Sequence, residues 1–288
     1  MSLFKDFKYN LRINYLRKLR FFFKKNFPKI NRIIKIIKNK EKFQFEGWDM
    51  YLKLYSPWDK SNQNPTFDTF EKTNNKLYEL VENNKFILSQ FPKSHDIIDV
   101  LDSLRWRHYL VTYTAYLAIT RTKSKNFVEC GVCDGLTAFY AFNASKKFNC
   151  FYYLYDSWDA MREQDLVGKE IGHAGRYSYL NIDNTKKNLE SLGDQAIFNK
   201  GYIPEVFKNV KNPEALSWLH IDTNSSNTTL DCLNFFYEKL ENNGVILFDD
   251  YAHINYEDTR KVIDSFLNDK KGNFLHFPTG QAFFIKTN

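Results

Sequence analysis

The spacing of apolar residues divides the chain into three parts. Over residues 3–23, Phe4, Phe7, Leu11, Tyr15, Leu19 and Phe22 recur at helical spacing, with Lys5, Lys8, Arg12, Arg17, Lys18 and Arg20 mostly on other faces, and a second such segment follows over 30–42 with Ile33, Ile34, Ile36 and Ile37. Residues 47–65 show no period and carry Trp48, Tyr51, Pro57 and Trp58, the composition of a connector or lid. Helical spacing returns over 67–91, through Leu77, Leu80, Val81, Phe86 and Ile87, and over 97–120, through Leu101, Leu104, Tyr109, Leu110, Tyr113 and Leu117.

From Phe127 onward short apolar runs alternate with helical patterns. Strands are expected at 127–130, 150–155, 196–198, 218–221 and 245–248, with helices over 136–147, 183–192, 228–240 and 256–267. The helix at 228–240 is expected to bury Leu230, Leu233, Phe236, Tyr237 and Leu240 and to stop at Asn243-Gly244. Two last strands, 274–277 and 282–286, are joined through Pro278-Thr279-Gly280, too short a link for anything but an antiparallel pair. This alternation predicts an α/β fold: a mostly parallel sheet with an antiparallel last strand, helices on both faces, and a helical N-terminal extension. The expected boundaries are a basic amphipathic segment at 1–45, a helical connector or lid at 46–104, and a catalytic-type domain at 105–288. Residues 161–180, with Gly168, Gly172, His173, Gly175 and Arg176, have no period and read as a mobile cover.

The first strand ends in Glu129-Cys130-Gly131 and turns through Val132-Cys133-Asp134-Gly135 into a helix that begins Leu136-Thr137. Glycines permit left-handed turns, and a helix N-terminus offers free N–H donors. A dinucleotide cradle would want Gly-x-Gly-x-x-Gly, whereas the spacing here is Gly-x-x-x-Gly behind an acid. An acid beside the turn disfavours pyrophosphate and suits a cationic, hydroxyl-bearing ligand, which S-adenosylmethionine is; a tight turn in some other α/β protein is the alternative. Glu129, Gly131, Gly135 and Thr137 are therefore candidate cofactor residues. Asp156 and Ser157 close the second strand, where an acid can accept from ribose hydroxyls or cap a helix. Gly201 and Tyr202 follow the third.

Charge is uneven. Residues 1–45 hold 14 Lys/Arg against two acids, a net +12, while the remaining 27 basic and 32 acidic residues net −5. A mildly acidic body argues against a nucleic-acid surface. The basic segment suits an anionic membrane face, with packing on its own domain or on a sister subunit of a homo-oligomer as the alternative. No run of 18 apolar residues occurs and no secretory signal pattern opens the chain. Four cysteines fit a reduced, cytoplasmic protein, peripheral membrane contact left open. Cys130-x-x-Cys133 has zinc or redox spacing but lacks a second pair.

Asp222, Asp249 and Asp250 end two strands that should be neighbours. Three uncompensated carboxylates would raise one another's pKa, and Mg²⁺ would resolve the conflict while leaving positions for a substrate hydroxyl. Asp222 could then take the hydroxyl proton. The alternative has Asp249 capping a helix and Asp250 paired with a surface Lys or Arg. His220 reads as core, His253 as an auxiliary base or substrate contact, and the cations of Arg105-Trp106-Arg107 as near the site or simply on a surface face.

Val128-Glu129-Cys130-Gly131-Val132, Leu154-Tyr155-Asp156-Ser157-Trp158, Lys200-Gly201-Tyr202-Ile203-Pro204, His220-Ile221-Asp222 and Phe248-Asp249-Asp250-Tyr251 occur in that order. Together they resemble the macrocin O-methyltransferase family of magnesium-dependent sugar O-methyltransferases, over about residues 105–288. The resemblance implies a Rossmann-like methyltransferase fold, S-adenosylmethionine at Glu129, Gly131, Gly135 and Asp156, Mg²⁺ on Asp222, Asp249 and Asp250, and Asp222 as base toward a sugar or glycan hydroxyl. The chain departs from the family at Thr223-Asn224-Ser225-Ser226-Asn227-Thr228-Thr229, where Gly-Asp-Leu-Tyr-Glu-Ser-Thr is usual. A methyltransferase of small phenols and a non-catalytic membrane-associated adaptor are the alternative functions.

Overall fold

The structure is a computed structural model that describes residues 65–91 and 97–288. The basic segment 1–45, residues 46–64 of the expected lid, and residues 92–96 lie outside the described residues. Seven strands make one sheet: β1 (Asn126–Cys130), β2 (Phe151–Asp156), β3 (Ala196–Lys200), β4 (Leu216–Ile221), β5 (Leu240–Phe248), β6 (Gly272–His276) and β7 (Ala282–Lys286). Their order is β3-β2-β1-β4-β5-β7-β6. The first five run parallel, and β7 inserts antiparallel between β5 and β6. The order reverses between β1 and β4, the place where open α/β sheets bind ligands.

The helices are α1 (Pro65–Glu82), α2 (Ile97–Ser103), α3 (Arg105–Arg121), α4 (Leu136–Ser145), α5 (Ile182–Asn188), α6 (Glu205–Asn209), α7 (Ser226–Phe236) and α8 (Glu257–Leu267). Strand β4 is buried at every position, as a strand covered on both faces must be. One apolar layer, with Phe127, Tyr152, Trp218 and Leu247, packs under α3 and α4; the other, with Val128, Leu219 and Ile246, packs under α7, which contributes Leu233 and Phe236. Among the described residues no helix is long and apolar enough to cross a membrane.

Several boundaries differ from expectation. The helix expected over 97–120 breaks at Leu104 into α2 and α3. The one expected over 228–240 is α7: Ser225 starts it by accepting from the Thr228 N–H at 3.2 Å, and it ends by Phe236, leaving Leu230 exposed rather than buried. Leu240 already pairs with Leu216, so Asn243-Gly244 is an irregularity inside β5 and not a helix stop. Asn243 adopts a left-handed φ of +67° there. Whether an Asn-Gly pair ends a helix or bends a strand depends on the partner strand.

Candidate active site

The turn after β1 is held from beneath by an acid. Asp156 Oδ2 accepts from the N–H groups of Val132 at 2.7 Å and Cys133 at 2.8 Å, and its Oδ1 accepts from Trp158 N at 2.7 Å. The expected ribose acceptor therefore has most of its capacity turned to backbone, although it still faces the cleft. Gly131 has φ +88°, and a Cβ there would lie 1.9 Å from the carbonyl oxygen of Asp222. Its glycine is required by the end of β4 crowding against the turn. Gly135, at φ +84°, is the cap residue of α4, and a Cβ would meet Leu189 at 2.8 Å. Gly135→Ala is expected to lower stability by about 1–3 kcal/mol, read from thermal or urea melts.

Above this turn lies an open cleft of about 800 Å³ counted with its mouth. Gly131, Asp156, Ser157, Gly201 and Tyr202 line it as expected. Glu129, Gly135 and Thr137 do not. Glu129 is 2% exposed and faces His220, because β1 and β4 pair in a register that sets the two opposite each other. Other lining residues are not marked by any motif, Gln90, Met161 and Tyr177 among them. Gln90 reaches the cleft because Asp134 accepts from Ser89 N at 2.6 Å and Ser89 Oγ at 2.8 Å, docking that segment on the glycine turn. Met161 and Tyr177 come from the segment expected as a cover.

A second, shallow recess, about 260 Å³ counted with its open surroundings, lies beyond the strand ends, against Asp249, Asp250, Tyr251 and Tyr256. The two cavities share Asp222, Thr223 and Asn224. His253 lines neither, and its ring stands 5.2 Å from that of Tyr256. Tyr256 takes the place expected of His253: its hydroxyl donates to Asn224 Oδ1, and Asn224 Nδ2 lies 3.4 Å from Asp222 Oδ1.

The acids are not uncompensated as expected. Arg107 of α3, only 8% exposed, ion-pairs with Asp249, approaches Asp250 Oδ1 at 3.5 Å and donates to the carbonyls of Asp249 and Thr279, each at 3.0 Å. His220, fully buried, lies 3.4 Å from Glu129 and 3.9 Å from Asp249. These are ion-pair rather than hydrogen-bond separations, and both ring nitrogens lack a hydrogen-bond partner. Burial alone would pull the His220 pKa down, but the two carboxylates push it up to about 10. Burial would raise Asp249, yet Arg107 and His220 hold it below the ordinary carboxylate range. Burial and then Asp249 push Asp250 up to about 6. Asp222 is raised well above its ordinary value by burial and then by Asp249 and Asp250.

The donor set fits a divalent cation. Ligand atoms of His220, Asp222 and Asp249 lie within 4.8 Å of one another, so the structure gathers His220 where the sequence suggested Asp250. Arg107 already stands against Asp249 and Asp250, so a metal is not needed to hold the acids together. The Cys130-x-x-Cys133 spacing does not make a redox pair: Cys130 is fully buried in the core, Cys133 lines the cleft, and burial raises both thiols well above their ordinary range.

Residues 128–251 match the family model described as a methyltransferase domain. The described residues have a Rossmann-like methyltransferase fold. The solved structure of the O-methyltransferase NovP is similar in fold, with TM-score 0.56 and 17% identity over 63% of this chain and 80% of that one. The calicheamicin methyltransferase CalS11 matches at TM-score 0.48 and 12% identity, over 75% of this chain and 91% of that one. A search of curated proteins returns no significant match. In this fold the reversal of strand order, the glycine turn and the Asp222 junction fall together at one edge of the sheet.

Proposed function

We propose that the protein is an S-adenosylmethionine-dependent O-methyltransferase acting on a sugar hydroxyl of a small molecule or glycan. The observation that carries this reading is the meeting of two concavities at Asp222: an open cleft over the glycine turn on one side and a smaller carboxylate-lined recess on the other. In this reading the donor lies over Gly131 with its ribose toward Asp156 and Ser157. The acceptor hydroxyl enters beside Asp249 and Asp250. Asp222, with a raised pKa, takes the hydroxyl proton as the oxygen attacks the methyl carbon; the C–O bond forms, the C–S bond breaks, and S-adenosylhomocysteine leaves. Asn224, itself held by the Tyr256 hydroxyl, holds the Asp222 carboxylate from one side. Positioning should supply much of the acceleration, because a sulfonium is already a good leaving group.

Asp222 and Asp249, with Asp250 or His220 beside them, are the residues that would hold a divalent cation, whose chemistry there is to lower the pKa of the acceptor hydroxyl. Calorimetric titration of S-adenosylmethionine, with and without Mg²⁺ and with Asp249→Ala, tests both parts. Micromolar donor binding and a Mg²⁺ heat lost in the variant are expected; absence of donor binding in every condition would sink the reading. Chelation with EDTA is expected to lower turnover by about 100-fold without weakening donor binding. Tyr251 and Tyr256 in the second cavity also favour a ring-bearing acceptor, so phenols are the second reading. Parallel assays with nucleotide sugars and catechols separate the two.

A further inference from the structure

One buried acid has no part in the chemistry above. Glu170 belongs to a 3₁₀ turn, Gly168–His173, in the segment that roofs the larger cleft, and it is 1% exposed although its neighbours Lys169 and Ile171 are exposed. Its Oε1 accepts from Ser226 N at 3.2 Å and Thr259 Oγ1 at 3.0 Å. Its Oε2 accepts from Ser226 N and Ser226 Oγ, each at 3.1 Å. Ser226 opens α7 and Thr259 lies in the first turn of α8, so the carboxylate enters between two helix starts, where free N–H groups and the positive dipole ends favour an anion. Burying a carboxylate is costly unless its oxygens are satisfied, and here both are.

The same roof is tied a second time. Ser225 Oγ donates to the carbonyl of Asp165 at 2.6 Å. Both ties end on the loop that follows Asp222, the loop shared by the two cavities. Met161 and Leu166 line the cleft on one side of Glu170 in sequence, and Tyr177 and Leu180 on the other. A single inward carboxylate thus pins the middle of a segment whose two arms form the cleft wall.

We infer that Glu170 is a positioning residue that holds residues 161–180 closed over the donor cleft and braces the loop bearing Asp222 against that cover. The part of this inference that concerns the donor rests on the S-adenosylmethionine reading of the cleft; the anchoring itself does not. The segment carries Arg162, Lys169 and Arg176, which makes its closure readable with trypsin.

The test compares wild type, Glu170→Ala, Glu170→Gln and Thr259→Val by calorimetric titration with S-adenosylmethionine and by timed trypsin digestion, each with a thermal melt. Glu170→Ala is expected to weaken donor binding at least about tenfold and to speed cleavage at Arg162, Lys169 and Arg176 by a similar factor while the rest of the chain stays intact. Glu170→Gln is expected to stay within about threefold of wild type, since its carbonyl accepts from Ser226 N and the two hydroxyls can rotate to accept from its amide. Thr259→Val removes one donor with little strain and should weaken binding about threefold, which keeps the test open if the alanine variant does not fold. A lower melting temperature with unchanged donor affinity and unchanged cleavage in Glu170→Ala and Thr259→Val would overturn the inference. If wild type binds no donor, the donor reading has failed, and the cleavage rates alone decide the anchoring.

Discussion

Asp222→Asn is expected to lower turnover by about 10³-fold while donor affinity stays within a few-fold of wild type. The side chain stands at the junction of the two cavities, and burial with Asp249 and Asp250 beside it raises its proton affinity. A general base contributes about 10²–10⁴-fold, and asparagine keeps the shape while removing the proton acceptor. Donor binding should survive because most of the donor cleft is built from the β1 and β2 ends and the cover, not from the Asp222 carboxylate. Turnover by quenched assay and affinity by calorimetry give the two numbers. Loss of donor affinity in parallel with turnover would assign Asp222 to binding instead.

Arg107→Met is expected to destabilise the fold by about 3–5 kcal/mol at neutral pH, the usual cost of stranding a buried charge by removing its partner. Arg107 bridges α3 to the β5 end and to the β6–β7 link through Asp249, Asp250 and two backbone carbonyls. Without it Asp249 loses the cation that keeps its pKa low, and both adjacent acids become costly to hold ionised. The sign with pH follows. Carboxylates whose folded-state pKa is raised penalise the fold above that pKa, so the variant's deficit should shrink as pH falls toward and below about 6, the value to which Asp250 is already pushed. Urea melts of wild type and variant at pH 5 and pH 8 measure the difference. A deficit that grows on acidification would mean that Arg107 acts chiefly through packing.

The departures that set this chain apart from the macrocin pattern have local partners. Asn224, left-handed at φ +53°, places its amide between Asp222 and the Tyr256 hydroxyl. Ser226, where the pattern has an aromatic, donates to Glu170 through both its N–H and its hydroxyl. Neither partner could be read beforehand, because Tyr256 and Glu170 lie 32 and 56 positions away.

Expectation and structure part company at Glu129 and at the acid cluster. Glu129 ends an apolar strand beside a glycine turn, and that pattern alone directs it toward a ligand. The register Glu129↔His220 turns it to an imidazole instead. The three aspartates looked uncompensated because their cation is on α3, 142 positions before Asp249, in a segment whose polar residues could equally have faced solvent.

What the sequence determined by itself is the set of strand ends. Apolar runs of four to six residues must lie inside a sheet covered on both faces, and parallel order sends all their carboxyl ends to one edge. Gly131, Asp156, Gly201, Asp222 and Asp249 were therefore bound to share that edge. What only the tertiary structure decided is which of these groups meet one another and which meet a ligand. Strand register paired Glu129 with His220, helix packing delivered Arg107 to Asp249, and the cover's fold carried Glu170 to Ser226. Each is a contact between residues far apart in the chain, made by burying a charged group against an ionic or hydrogen-bonding partner, which local patterning does not encode.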